Sequence, residues 1–278
     1  MGQPFSFFRF RTREPLRAKR FYEELFGWTV GGDELLLRVG PDDAPWGCIE
    51  HLPPRAVQQG APSHWLGCLR TDAPHAKAAS LEAAGARRLG PPPSPQVRAS
   101  QVRASHDGAC QDSASQDPGS PDELEKPIAS PLPVFQDPFG AVMGLHPAAP
   151  SPPAPVLWSQ LLTAVPDEAF GFYKAHFGWH SLRKCPLGPM FGEVLEWSAS
   201  ELPGEADGGI FDLRAQGFAR GVPHWLFAFE VADVEHSLAR ARSLGADLAS
   251  GPHPLPCGYQ LAVLHDPQGA VFGVASRR

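Results

Sequence analysis

The strongest constraint on the fold is an internal repeat. FYEELFGW at Phe21–Trp28 returns 151 residues later as FYKAHFGW at Phe172–Trp179. HWLGCL from His64 returns as HWLFAF from His224, and SLEAAGA ending at Ala86 parallels ARSLGA ending at Ala246. Both copies close on a matching phrase, DPFGAVMGL from Asp137 and DPQGAVFGV from Asp266. Four segments recurring in one order are not a product of chance, and self-similarity on this scale means two copies of one structural unit. Length agrees, since 278 residues make roughly two domains at ~150 residues each.

The copies are unequally spaced. The offset is 160 at the HW segments and 129 at the closing phrase, so the first copy carries about thirty extra residues between them. These fall over about 90–133, where Pro, Ser, Gln and Asp crowd together, aromatic residues are absent, and QVRAS is followed directly by QVRAS. So little apolar surface cannot offset the entropy of ordering, which predicts a low-complexity, disordered insertion. A Pro-rich run over 147–155 predicts an extended linker. The expected layout is a first module over 1–146 and a second over 156–278.

With 42% hydrophobic and 10% aromatic residues, the modules have ample material for a core. A net charge of -6 gives no footprint for nucleic acid or an anionic membrane, so neither is an expected partner. No apolar run reaches the ~18 residues of a membrane span. Five cysteines, odd in number and without a CxxC pair, suggest neither a disulfide framework nor a zinc ribbon, and a reducing cytoplasm is the expected location. The opening MGQPFSFFRFRTREP lacks a secretory apolar core; its loose myristoylation pattern is countered by Pro4 and by a strand expected from Phe5.

Within each copy the pattern reads strand, helix, two or three strands, helix, two strands. The first helices lie between Pro15 and Gly27 and from Pro166, with Asp167 as cap, to Gly178; the second begin near Asp72 and Asp233 and stop at Gly85 and Gly245. Strands are expected over 34–39, 46–52, 191–197 and 208–213. The order makes an α+β protein with largely antiparallel sheets.

The FYxxxFGW helix, the HW strand, the Gly-Ala helix end and the closing DPxGAVxG strand together resemble the vicinal oxygen chelate superfamily, which includes glyoxalases, bleomycin-resistance proteins and extradiol dioxygenases. Within it, the DPxGAxFG ending is similar to a tandem, hydroxylase-like subgroup. The resemblance implies two tandem βαβββ modules whose curved sheets form a shared cleft. It also implies three metal-ligand positions per module, which fall here on Phe7, Leu66 and Gly144 and on Trp158, Leu226 and Gly273. None offers an imidazole or carboxylate, so no cofactor is expected. A divalent metal held by shifted ligands such as His64, His146, Gln160 and His224 is the first rival.

Strand alternation assigns what would line the cleft instead. Phe8, Phe10, Trp225, Phe227 and Phe229 face the helices, leaving Phe7, Arg9, His64, His146, Trp158, Gln160 and His224 as candidate ligand-binding residues, with Cys68, Arg70 and Glu230 around them. An aromatic floor with few polar groups suits a small aromatic or anionic organic molecule, with Arg9 as anchor. Each residue also has a structural alternative: Phe7 and Trp158 as core filling, the histidines as loop caps, Arg9 and Arg11 as partners of Glu14, Asp33 or Glu50. Whether the chain is an enzyme stays open; His64 or His224, oriented by Glu230, are the candidate catalytic groups, and a non-catalytic scaffold is the remaining reading. Monomer and homodimer are both compatible with two modules in one chain.

Overall fold

The computed structural model describes residues 4–33, 36–41, 44–89, 132–147, 153–187, 192–200, 205–215, 221–255 and 257–277. The expected insertion, apart from positions 132 and 133, lies outside them, as do linker positions 148–152.

Each module starts with a strand and a proline-started helix. In β1 (Phe5–Thr12), Phe5, Phe8, Phe10 and Thr12 are buried while the residues between them are only partly so. Then follow α1 (Pro15–Phe26), β2 (Val30–Asp33), β3 (Leu36–Val39), β4 (Gly47–His51), α2 (Pro54–Gln58), β5 (His64–Arg70), α3 (Pro74–Ala83), β6 (Arg87–Arg88), β7 (Val134–Gln136) and β8 (Val142–His146). The second module has β9 (Val156–Thr163), α4 (Pro166–Phe177), β10 (His180–Pro186), β11 (Glu193–Ser198), β12 (Gly208–Asp212), β13 (His224–Glu230), α5 (Val234–Ser243), β14 (Asp247–Pro254), β15 (Tyr259–His265) and β16 (Val271–Arg277). Gly27 and Gly178 stop the first helix of each module in the left-handed conformation, at φ 68° and 70°. Asp233 caps α5 by accepting from His236 N at 2.7 Å. Asp167 does not cap α4: Val165 holds that position, and Asp167 sits in the first turn, paired with Lys184 at 2.7 Å.

Each module forms one eight-stranded sheet, with orders β2-β3-β4-β1-β5-β8-β7-β6 and β10-β11-β12-β9-β13-β16-β15-β14. Parallel pairs close each unit, β1 with β4, β5 with β8, β9 with β12 and β13 with β16. Antiparallel β1–β5 and β9–β13 join the units. Each expected module therefore contains two βαβββ units back to back, and the α+β fold class holds.

The sheets meet through their helix-bearing faces. Phe5 and Phe8 of β1 pack edge-on against Phe227 of β13, each with ring centroids 5.0 Å apart, and Trp65 meets Phe229 at 4.9 Å. Such pairs add ~0.5–1.5 kcal/mol each beyond their buried area. Gly67 makes the approach possible, since a Cβ there would lie 2.3 Å from Phe227 Cζ. The repeated motifs explain themselves at this interface. Tyr173 of the second FY helix donates to Asp137 Oδ2 at 2.8 Å and accepts from Trp225 Nε1 at 3.1 Å. Tyr22 of the first donates to Asp266 Oδ2 at 3.1 Å and accepts from Trp65 Nε1 at 2.9 Å. Each tyrosine thus bonds the closing turn of the other module. The second oxygen of each aspartate shapes its own turn, accepting from Phe139 and Ala141 N, or Gln268 and Ala270 N.

Candidate ligand-binding hollow

Because the helix-bearing faces are packed together, the opposite faces look outward, one per module. Residues expected to line one cleft are divided between two hollows. Phe7, Arg9, His64 and His146 lie on the outer face of the first sheet, and Trp158, Gln160 and His224 on that of the second. The strand parity is as the sequence implies; the correction is that the aromatic core stands between Phe7 and Trp158.

In the first hollow, Glu50 of β4 accepts from Arg9 Nη2 at 2.8 Å and from Arg11 Nε at 2.7 Å. These side chains are only 12–16% exposed. Burial works against its ionisation, but the two guanidiniums outweigh that and hold the Glu50 carboxyl below the ordinary range. Phe7 stacks on His146 with centroids 4.5 Å apart and planes 3° from parallel. Cys48 and Cys68 are buried, and burial pushes their thiols up to about 12 and about 11, out of the nucleophilic range.

The second hollow holds a cavity of about 540 Å³, within the ~300–1,000 Å³ typical of small-molecule sites. Strands β9, β12, β13, β14, β15 and β16 all contribute to its wall, which a sheet can do only by curling. Leu162, Phe211, Leu213, Leu226, Leu261 and Val263 make it mainly apolar, while Gln160, His224, Ser250 and His253 are its polar members. Neither lysine nor arginine lines it among the described residues. Gln160 is 7% exposed, and its Oε1 is buried without a hydrogen-bond partner. Beside the cavity Trp158, fully buried, packs with Val194, Phe211, Tyr259 and Leu261.

His64, His146 and His224 bond the carbonyls of Pro62, Pro147 and Val222 through Nδ1 at 2.9, 2.9 and 2.8 Å. A carbonyl only accepts, so Nδ1 carries the proton and Nε2 remains an acceptor in the neutral ring. Burial, with Arg11 adding to it, pushes the His64 pKa down. The expected dyad of His224 and Glu230 does not form. The two stand at opposite ends of β13, roughly 20 Å apart at ~3.3 Å per residue, and Glu230 lies 3.9 Å from Arg277. His64 is in the other module.

The six ligand positions implied by the resemblance do not fit a metal ion. A Cβ at Gly144 would lie 2.4 Å from Cys68 Sγ, and one at Gly273 2.8 Å from Ala228 Cβ, so neither position admits a carboxylate without rearrangement. The shifted set is split as well, with His64 and His146 in one hollow and Gln160 and His224 in the other. Among the described residues no three His, Cys, Asp or Glu side chains converge on a common point.

Residues 159–275 match the sequence pattern of the Glyoxalase-like domain family. The fold is shared with the Mn(II)-bound glyoxalase from Novosphingobium aromaticivorans, at a TM-score of 0.60 and 14% identity over 99% of this chain and 82% of that one. It is equally shared with the 2,2',3-trihydroxybiphenyl 1,2-dioxygenase from Sphingomonas wittichii, at 0.60 and 13% over 99% and 91%. The second module thus carries a Glyoxalase-like domain, and the whole chain has the fold of these enzymes. In sequence the chain is 26% identical to CFP32 of Mycobacterium tuberculosis, named as a candidate glyoxylase, over 95% of this chain and 91% of that protein. It is 32% identical to the anthracycline biosynthesis protein DauV of a Streptomyces species over 152 residues, 52% of each chain. No helix among the described residues is long and apolar enough to cross a membrane.

Glu196 escaped the sequence reading. It lies on β11, is 1% exposed, and has one oxygen bonded by Arg183 Nε at 2.6 Å and the other without a partner. The alternation in EVLEWS was the available signal: it places Val194, Glu196 and Ser198 on one face and Leu195 and Trp197 on the other. Leu255, Leu261 and Val263 were missed for a different reason, since β14 and β15 have no motif of their own.

Proposed function

We propose that this protein binds a planar, mainly apolar organic molecule carrying a hydrogen-bond donor, and that it does so in the hollow of the second module alone. The observation that carries the reading is Gln160 Oε1, an unpartnered acceptor buried in an apolar cavity. Such an atom costs about 1–3 kcal/mol while unpaired, so a hydroxyl or N–H reaching it gains both contact and relief. Phe211 offers a ring to stack on, and His224 supplies a second acceptor, Nε2, at the rim.

The reading also decides between the aromatic and anionic ligands that composition alone allows. Arg9, the expected anion anchor, is in the other hollow and already engaged by Glu50. The likeness to DauV, an anthracycline biosynthesis protein, supports a polycyclic aromatic ligand. The superfamily's metal chemistry is not carried over, because the residues present do not fit the ion.

The test is calorimetric titration of the full-length protein with 2-naphthol and naphthalene. Binding of 2-naphthol with a preference over naphthalene that Gln160→Leu abolishes is the expected result. Equal affinities for the two probes, or a preference that survives Gln160→Leu, would remove the basis of the reading.

A further inference from the structure

One wall of the second hollow sets a serine against a histidine. Ser250 Oγ and His253 Nε2 are 3.0 Å apart, and both residues line the cavity. Residues three apart in a regular strand project to opposite faces, so this meeting needs an irregularity. Ser250 pairs with Val263 and His253 with Leu261, so β14 takes three steps where β15 takes two. Val263 and Leu261 share a face and both belong to the cavity wall, and the bulge turns Ser250 and His253 onto that same face. Gly251 permits it: its φ is 98°, and a Cβ there would lie 2.7 Å from Leu261 O. Among the described residues the first module has no counterpart, since its edge strand β6 is only Arg87–Arg88.

A serine hydroxyl is a weak nucleophile until a base takes its proton, and an imidazole nitrogen at 3.0 Å is within reach of that transfer. Both residues are half-buried, so they face the apolar space and stay accessible to water. The sheet order β9-β13-β16-β15-β14 puts Ser250 four strands from Gln160, roughly 19 Å along the sheet at ~4.8 Å per strand. The curl brings both onto one cavity. A ligand lying on the apolar wall between them has one end at Gln160 and the other at the Ser250–His253 pair.

We propose that Ser250 and His253 are a nucleophile–base pair and that the second hollow cleaves aryl esters. The inference rests on the proposed use of this hollow and adds a reaction to it. Ser250 Oγ adds to the carbonyl carbon while its proton passes to His253 Nε2. The ester C–O bond then breaks, and the departing aryl oxide takes that proton from His253, leaving acyl-Ser250 and a phenol. Water gives a proton to the same nitrogen and adds to the acyl carbon; the bond to Oγ breaks, Oγ recovers the proton, and a carboxylic acid leaves. An aryl ester is favoured over an alkyl one because a phenol is the better leaving group and its ring system suits the apolar wall. The phenol released is itself a ligand of the proposed kind, with a hydroxyl for Gln160 Oε1.

The experiment incubates the full-length protein with 2-naphthyl acetate, following 2-naphthol by fluorescence and the intact protein by mass spectrometry. Turnover is expected, inhibited competitively by 2-naphthol, with a single acetyl group on the protein that peptide mapping places on Ser250. Ser250→Ala should lose the adduct, and His253→Gln should slow the release about a hundredfold. If these variants do not fold, phenylmethanesulfonyl fluoride on the wild type replaces them: labelling of Ser250 that stops the release supports the pair, and release that continues after labelling overturns it. Release no faster than in buffer, release that persists in Ser250→Ala, or an adduct on another residue overturns the pair whatever the calorimetry of 2-naphthol shows. Ser250-dependent release by a protein that does not bind 2-naphthol upholds the pair and removes the Gln160 reading.

Discussion

The two modules share a backbone and differ in what their outer faces hold. By register, Arg9, Arg11 and Glu50 of the first occupy the places of Gln160, Leu162 and Phe211 in the second. The first hollow is braced by a carboxylate between two guanidiniums. The second is apolar and contains a cavity. The inner faces, by contrast, keep the same aromatic pattern and the same Tyr–Asp bonds in both copies. What the copies share holds the modules together, and what separates them decides which hollow is open to a ligand.

The comparison can be broken most forcefully at Glu50. Glu50→Leu leaves two mostly buried arginines without a counter-charge and is expected to cost roughly 3 kcal/mol in urea unfolding. The triple change Arg9→Gln, Arg11→Leu and Glu50→Phe copies the second module and should recover most of that loss; a triple variant as unstable as the single one would show that the ion network is not what fills the first hollow. The acid limb gives the same contrast. The folded-state pKa of Glu50 is depressed, so its stabilisation is present above the unfolded carboxylate range and lost as pH falls through the folded value. Wild type should therefore lose stability below about pH 4 more steeply than the triple variant. Asp137 and Asp266, pushed up by burial, act with the opposite sign, their contribution falling as pH rises from the unfolded to the folded value.

At the interface, Gly67→Val should cost about 2 kcal/mol by forcing a side chain into Phe227. The exchange Gly67→Phe with Phe227→Gly trades knob and hole between equivalent strands and should cost less than Gly67→Phe alone. Tyr22→Phe and Tyr173→Phe each leave an aspartate oxygen and a tryptophan N–H unpaired, for an expected loss of about 1–2 kcal/mol in thermal or chemical unfolding. Similar losses would confirm the reciprocity of the two bonds. The smallest effect has the opposite direction: Gln160→Leu removes a buried orphan and should raise stability by about 1 kcal/mol. A destabilised Gln160→Leu variant would mean that the amide is already satisfied.

Much of this was legible in the sequence because the repeat aligns residues two by two. Strand parity followed from the phenylalanines of FSFFRFRT, and the helix ends from Gly27, Gly178, Gly85 and Gly245. The strands β2, β6 and β14 were not legible. VGGD and RR are too short to show a period, and β14 changes register near Ser250 and His253, which disrupts alternation. The arrangement of the sheets was hidden for another reason. Alternation says which residues share a face, but not whether two such faces turn toward each other or away, and the deciding contacts are between modules. Glu196 was readable by parity but overlooked, because no motif drew attention to EVLEWS.

The most direct test is the position of a bound heavy-atom probe. A crystal of the full-length protein soaked with 6-bromo-2-naphthol should show an anomalous bromine peak within the second hollow, with the hydroxyl within hydrogen-bond distance of Gln160 Oε1, and none beside Glu50. A peak over the Arg9–Glu50–Arg11 network, or one between the two sheets, would contradict the account.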